Sequence, residues 1–202
     1  MQVGKILSRQ QLISLSGIKS IDESRREMRY YSDLTSEVRV FLSHKHEDIG
    51  ILLAIKRILE ECGAKPYVDW MDSTMPPITN ALTAKQLKDK IASSQKFVFI
   101  ATVYSLSSPW CNWEIGYGDA QKYNDRSIAI FPVKEDDGTW RDNEYLQLYP
   151  VIEYRDGTTN YRSGKRIEKG YYYVAKGKDG VMSLTPLKDW LLEGITKRNG
   201  IF

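Results

Sequence analysis

Ser105-Leu-Ser-Ser-Pro-Trp-Cys-Asn-Trp-Glu-Ile-Gly-Tyr-Gly118 is the stretch on which the reading of this chain turns. Ser107 and Ser108 are both candidate N-caps and Pro109 suits a first helical position, so a helix opens here. Trp110, Trp113, Tyr117 and Ala120 then recur at helical spacing and predict an apolar stripe that faces a core. Glu114 falls four residues after Trp110 and three before Tyr117, which places it at the border of that stripe and not cleanly toward water. A carboxylate held against aromatic rings is costly unless something uses it.

Composition bounds what such a carboxylate could serve. At 202 residues the chain is long enough for one substantial core with some decoration. Its 42% hydrophobic and 27% charged content is that of an ordinary globular protein, and a net charge of +3 is too mild to point to nucleic acid. Two cysteines, Cys62 and Cys111, supply neither a disulfide framework nor zinc-ligand pairs, as expected of a protein kept in a reducing cytoplasm. No apolar run approaches a membrane span and no signal peptide is evident, so a soluble, cytoplasmic protein with no membrane partner is expected.

Working outward, strands and helices alternate. Residues 1–36 predict an N-terminal arm or short docking helix, and residues 37–202 a single domain. Val38 to Ser43 reads as a first strand leading into the polar loop from His44 to Asp48. Ile51 to Cys62 reads as a helix that Gly63 can terminate, and Lys65 to Asp69 as a second strand. A loop from Trp70 to Asn80 precedes a helix carrying Ala84, Leu87 and Ile91, then the unbroken apolar run Phe97 to Thr102. Ser127 to Pro132 and Val151 to Tyr154 supply the last two strands. An inserted hairpin is expected at about 156–180 and a final helix at about 185–194. Such alternation predicts a flavodoxin-like, doubly wound, parallel five-stranded sheet, with ligands bound beyond the carboxyl ends of its strands.

Trp110-Cys111-Asn112-Trp113-Glu114, preceded by Ser108, resembles the Ser-x-Trp-Cys-x-x-Glu signature of Toll/interleukin-1 receptor (TIR) domains. The resemblance extends from about Val38 to Tyr154. It takes in Val40-Phe41-Leu42-Ser43 with Asp48, Val68-Asp69, and Ile91-Ala92-Ser93-Ser94 before Phe97 to Ile100. Trp70 to Asn80 falls where the family's variable BB loop lies, although Met71-Asp72-Ser73-Thr74-Met75-Pro76-Pro77 lacks the Arg-Gly or Pro-Gly turn of many relatives. The single-domain TIR proteins of bacterial anti-phage defence, including the signal-producing component of Thoeris systems, are the members it looks most like. That resemblance implies an enzyme with NAD as substrate and no bound cofactor, in which Glu114 is the catalytic residue.

The chemistry is compatible with one carboxylate. Nicotinamide leaves NAD as a neutral molecule from a cationic ring, so an acid for the leaving group is dispensable. A single carboxylate can bond the ribose hydroxyls and stabilise an oxocarbenium-like transition state. Trp110 could form an aromatic wall for nicotinamide or adenine, or simply pack in the core. Ser43, His44 and Asp72 stand on loops at the expected rim, where contact with ribose or phosphate competes with an ordinary loop role. Cys111 with His44 or His46 as base makes a poor nucleophile, because nothing supplies an orienting third group, and the two histidines lack further ligands for a metal.

Gly164-Lys165 does not complete a phosphate loop, since Arg166 follows the lysine. The six basic residues Arg162, Lys165, Arg166, Lys169, Lys176 and Lys178 read most simply as a solvated hairpin that could also fold over the rim and exclude water. The expectation is therefore cleavage of the nicotinamide–ribose bond, giving ADP-ribose or a cyclic isomer used as an immune signal. Its partners would be NAD, a second copy through the loop at 70–80, and a separate effector protein that binds the product. The rival from another class is a non-catalytic TIR adaptor or scaffold acting through association, and a plain flavodoxin-like binding module is the third.

Overall fold

A computed structural model describes residues 5–18, 38–72, 81–140, 143–177 and 179–193. The loop at 70–80 is therefore described only for Trp70, Met71 and Asp72, and the expected end of the final helix at about 194, like Lys178, lies outside the described residues. Among the described residues no helix is long and apolar enough to cross a membrane.

Five strands run parallel, as the alternating pattern predicts: β1 (Arg39–Ser43), β2 (Lys65–Tyr67), β3 (Lys96–Ala101), β4 (Ile128–Pro132) and β5 (Val151–Arg155). Two antiparallel strands extend the edge of the same sheet, β6 (Gly170–Lys176) within the inserted segment and β7 (Met182–Pro186) beyond it, where the final helix is expected to start at about 185; the sheet order is β2-β1-β3-β4-β5-β6-β7. Helices α1 (Arg9–Ser16), α2 (Ile49–Glu61), α3 (Ala81–Ser93), the short α4 (Val103–Leu106), α5 (Pro109–Lys122) and α6 (Leu187–Leu192) complete the described architecture. The chain moves from β1 outward to β2 and then crosses back to β3 on the other side of β1. The carboxyl ends of β1 and β3 therefore flank the switch point, where ligands enter open sheets of this kind.

Each sheet face carries its own core. On one face Val40, Leu42, Val98 and Ile100 pack under Ile51, Leu52, Ile55 and Leu59 of α2, with Leu12 of α1 and Trp190 of α6 in the same cluster. On the other, Phe41, Phe97 and Phe99 meet Leu87 and Ile91 of α3 and Cys111 and Ile115 of α5. Burial on both faces is why β3 shows an apolar run without alternation. The region at 156–169 begins at the rim, but Ile167 and Tyr161 pack against Tyr172 and Val174 on the face of the outer strands. These residues of the insertion thus pack on β5–β7, neither wholly solvated nor, at Tyr161 and Ile167, laid over the rim as the basic residues had also allowed.

Helix α5 corrects a second expectation. Ser108 caps it, its hydroxyl accepting from Cys111 N, and Pro109 opens the first turn as the sequence predicts. Its buried face, however, consists of Cys111, Glu114, Ile115, Gly118 and Lys122, while Ala120 is exposed and Trp110, Trp113 and Tyr117, though packed against that core as expected, are only half-buried. The reason is the closeness of helix to sheet: a Cβ on Gly118 would lie 2.9 Å from the fully buried Phe97 ring. Three aromatic rings do not fit such a gap. They flank it instead, Trp110 against Trp113 at 4.9 Å and Trp113 stacked on Tyr117 at 6.1 Å, with the Lys88 amine above the latter two.

Gly118→Ala would raise helix propensity yet force a methyl into Phe97. Overpacking of this kind costs about 1–3 kcal/mol. The variant should melt below the wild type, and a melt that rises would show that α5 can move off the sheet freely.

Candidate functional site at the switch point

Glu114 points from the middle of α5 to the end of β1, only 5% exposed. The fully buried Ser43 hydroxyl donates to Glu114 Oε2 at 2.6 Å. No cation is paired with Glu114 in the described structure, and burial pushes its carboxyl up to about 8. The Ser43 hydrogen bond opposes that shift, and the charge of Asp69 adds to it.

Asp69 opens a single 3-10 turn (Asp69–Met71) after β2 and accepts a hydrogen bond from Trp70 N at 2.8 Å. Facing it is His44, whose Nδ1–H donates to the Leu42 carbonyl at 3.0 Å. The other ring nitrogen, Nε2, stands 3.7 Å from Asp69 Oδ1. Burial lowers the His44 pKa more than Asp69 raises it, which keeps the imidazole neutral at pH 7. Cys111 secures the same loop, its thiol donating to the His44 carbonyl at 3.2 Å. With that thiol pushed up to about 12 by burial, Cys111 is a packing residue and not a nucleophile.

Of the five residues singled out from the sequence, Ser43 and Glu114 are in direct contact, and His44 adjoins them through Asp69. Trp110 stands one helical turn before Glu114 on the aromatic flank. Asp72 turns elsewhere: it accepts from the Tyr67 hydroxyl at 3.0 Å and pairs with Lys90 at 2.8 Å, which also sits over the Tyr67 ring. Asp69 and Tyr67, both close enough to interact electrostatically with Glu114, were not singled out. Their signal was position alone, the end of the strand next to β1. Among the described residues no cluster of His, Cys, Asp or Glu could hold a metal ion.

A buried, cation-free carboxylate at a doubly wound switch point, on a Trp-Cys-x-x-Glu helix, is the arrangement by which the family can be tested. The TIR domain family matches this chain over residues 40–168, more than half its length. The chain belongs to the TIR domain family. A Bacillus cereus (strain MSX-D12) protein named "Probable 3' cyclic ADP-D-ribose synthase ThsB'" is 32% identical over 117 residues, covering 56% of this chain and 59% of that protein. A Cytobacillus dafuensis protein provisionally named cyclic ADP-D-ribose synthase TIR2 is 30% identical over 81 residues, 39% of this chain and 21% of its own length. The chain thus spans about three fifths of the first relative and about a fifth of the second. Both names give cyclic ADP-D-ribose synthesis as the relative's activity.

The raised carboxyl carries a stability signature. Between the unfolded value of 4.5 and the folded value of about 8 the native TIR domain binds more protons at Glu114 than the unfolded chain does. Stability must therefore fall as pH rises through that window, and the loss is complete above about 8. Glu114→Gln should melt close to the wild type at pH 4, where the carboxyl is protonated in both states, and above it at pH 9, read by paired thermal melts. Ser43→Ala should move the wild-type transition to higher pH, since it removes the hydrogen bond that favours the charged form. A Glu114→Gln melt that tracks the wild type at both pH values would mean that Glu114 is not held in a raised state.

Proposed function

We propose that this TIR protein consumes NAD by breaking the bond between nicotinamide and ribose, with Glu114 as the catalytic carboxylate. The observation that carries the reading is the Ser43–Glu114 pair: a buried carboxylate with no paired cation, at the crevice where this fold binds ligands. A positively charged nicotinamide ring supplies the missing counter-charge, and its attraction favours loss of the Glu114 proton, so that the carboxyl is ionised with substrate bound. As the C1′–N bond breaks, its electron pair goes to the ring nitrogen and nicotinamide leaves neutral. The ribosyl cation that remains is stabilised by the Glu114 carboxylate in a site of low dielectric.

Capture by water, with loss of a proton, gives ADP-ribose. Capture by a nucleophile of the same molecule, again with loss of a proton, gives a cyclic isomer. The names of the two relatives favour the cyclic product and a role as signal in bacterial defence, with a separate effector protein as its receiver. Trp110 fits as an aromatic wall one turn from Glu114. Ser43 and His44 hold the floor, and no bound cofactor enters. An adaptor acting by association alone would have no use for a carboxylate buried in this way. Exposed Trp70 and Met71 at the start of the loop at 70–80 support association of TIR copies as part of the same reading.

Glu114→Gln keeps size and most hydrogen bonding while removing the charge. NAD consumption should fall roughly a hundredfold or more, as for other central electrostatic groups. Wild-type turnover in that variant would exclude Glu114 from the chemistry. Mass spectrometry of a wild-type reaction run to completion should find a species of cyclic ADP-ribose mass. Linear ADP-ribose alone would leave NAD depletion as the outcome. If association completes the site, specific activity should climb with protein concentration and drop in Met71→Asp. Activity proportional to enzyme over a wide dilution series would count against that part.

A further inference from the structure

We infer that Arg9, in the helix that precedes the matched family region, is a positioning residue for the site: it clamps together the loops that follow β1, β3 and β4 at the rim. The inference begins with how firmly α1 is placed. Ser8 and Gln11 form a reciprocal cap at its start, and Gly17 closes it in the left-handed region at φ 67. Leu12 is fully buried against α2. The backbone just before it is joined to the sheet end, with Lys5 bonded to Tyr154 in both directions and Lys134 N donating to the Leu7 carbonyl. Arg9 N in turn donates to the Lys134 carbonyl at 3.1 Å.

From that fixed backbone the guanidinium meets all three loops. Its Nη2 donates to Asp48 Oδ1 at 3.0 Å in the loop after β1, and its Nη1 to Glu135 Oε1 at 3.4 Å after β4. Its planar centre lies 5.5 Å from the Tyr104 ring after β3. Asp48 has no exposed side-chain surface, and its second oxygen accepts from the Thr102 hydroxyl at 2.5 Å. Thr102 is itself the N-cap of α4, the turn that leads into the cap of α5. One planar fork thus reaches the loop that carries His44 and the loop that launches the Glu114 helix. A lysine could not span these partners, having no fork. Because Asp48 is buried, removing Arg9 leaves an unpaired carboxylate, and a variant lacking Arg9 alone confounds stability with position.

The kinetic arm rests on the NAD reading, and the exchange arm does not. Arg9→Gln should lose stability and should lower kcat for NAD about tenfold or more, the scale expected when catalytic groups are misplaced slightly. Arg9→Lys should restore part of kcat. The deciding protein is Arg9→Gln with Asp48→Asn, which removes both charges but keeps an acceptor for Thr102. Its melt should return toward the wild type while kcat stays low, and hydrogen exchange should quicken at 44–48, 102–108 and 133–136. Recovery of kcat together with the melt makes Arg9 merely structural and overturns the inference, as does unchanged protection of those segments. A wild type that leaves NAD intact would sink the NAD reading only. Exchange in the three segments would then decide alone, quickened protection loss upholding the clamp and unchanged protection refuting it.

Discussion

The hydrogen bond from Ser43 to Glu114 joins the end of β1 to the middle of α5, and the geometry on that side of the sheet follows from it. For a short glutamate side chain to reach β1, the helix axis must lie close to the strands. Gly118 permits the approach by leaving the Phe97 ring room where a methyl would collide at 2.9 Å. The helix then presents its small face inward, and the bulky rings are driven to the flank, beside the crevice. Lys122, at the far end of the same buried face, donates to the carbonyls of Ala92 and Ser94 and so anchors α5 to the end of α3. The aromatic flank and the buried carboxyl are thus two consequences of one close approach.

This explains which features could be read from residues alone. The five parallel strands were legible because β1, β3 and β4 are apolar runs bounded by polar loops, and the cap at Ser108 because Pro follows it. The rotation of α5 was not. Trp110, Trp113 and Tyr117 are the largest apolar side chains of the helix and fall at helical spacing, so periodicity elects them as the core face. What overrides it is a distance between two elements, and no spacing within one element encodes that. The two added strands were half legible: Tyr171-Tyr172-Tyr173-Val174 announced β6, whereas the mixed residues of β7 (Met182–Pro186), most of them exposed at an edge, carry little strand signal.

The site was legible to the same degree. Ser43 and Glu114 are 71 positions apart, and only the alternation of strand and helix implied that they meet. Asp69 was hidden inside what read as the end of a strand. Asp72, an equally plausible loop carboxylate, is engaged by Lys90 and Tyr67 instead. Arg9 was invisible for a different reason. Its partners Asp48, Tyr104 and Glu135 belong to three separate connections, and a cation that unites loops leaves no motif in any of them.

Two carboxylates are buried at this rim, and the fold treats them in opposite ways. Asp48 is held by a guanidinium and a hydroxyl, and burial still raises its carboxyl, so even a well-paired acid there is under strain from desolvation. Glu114 has the hydroxyl and no guanidinium, and a second acid, Asp69, faces it from β2's end. Had packing alone set this site, an uncharged residue at position 114 would have been the more stable choice, because nothing in the fold needs that charge. Among the described residues one buried acid is neutralised by an arginine and the neighbouring one has no cation beside it, an asymmetry that the proposed reaction would put to use. Under that reaction the cation is the nicotinamide ring, and its departure as a neutral molecule leaves the charge on the ribosyl carbon, next to the carboxylate that was waiting for it.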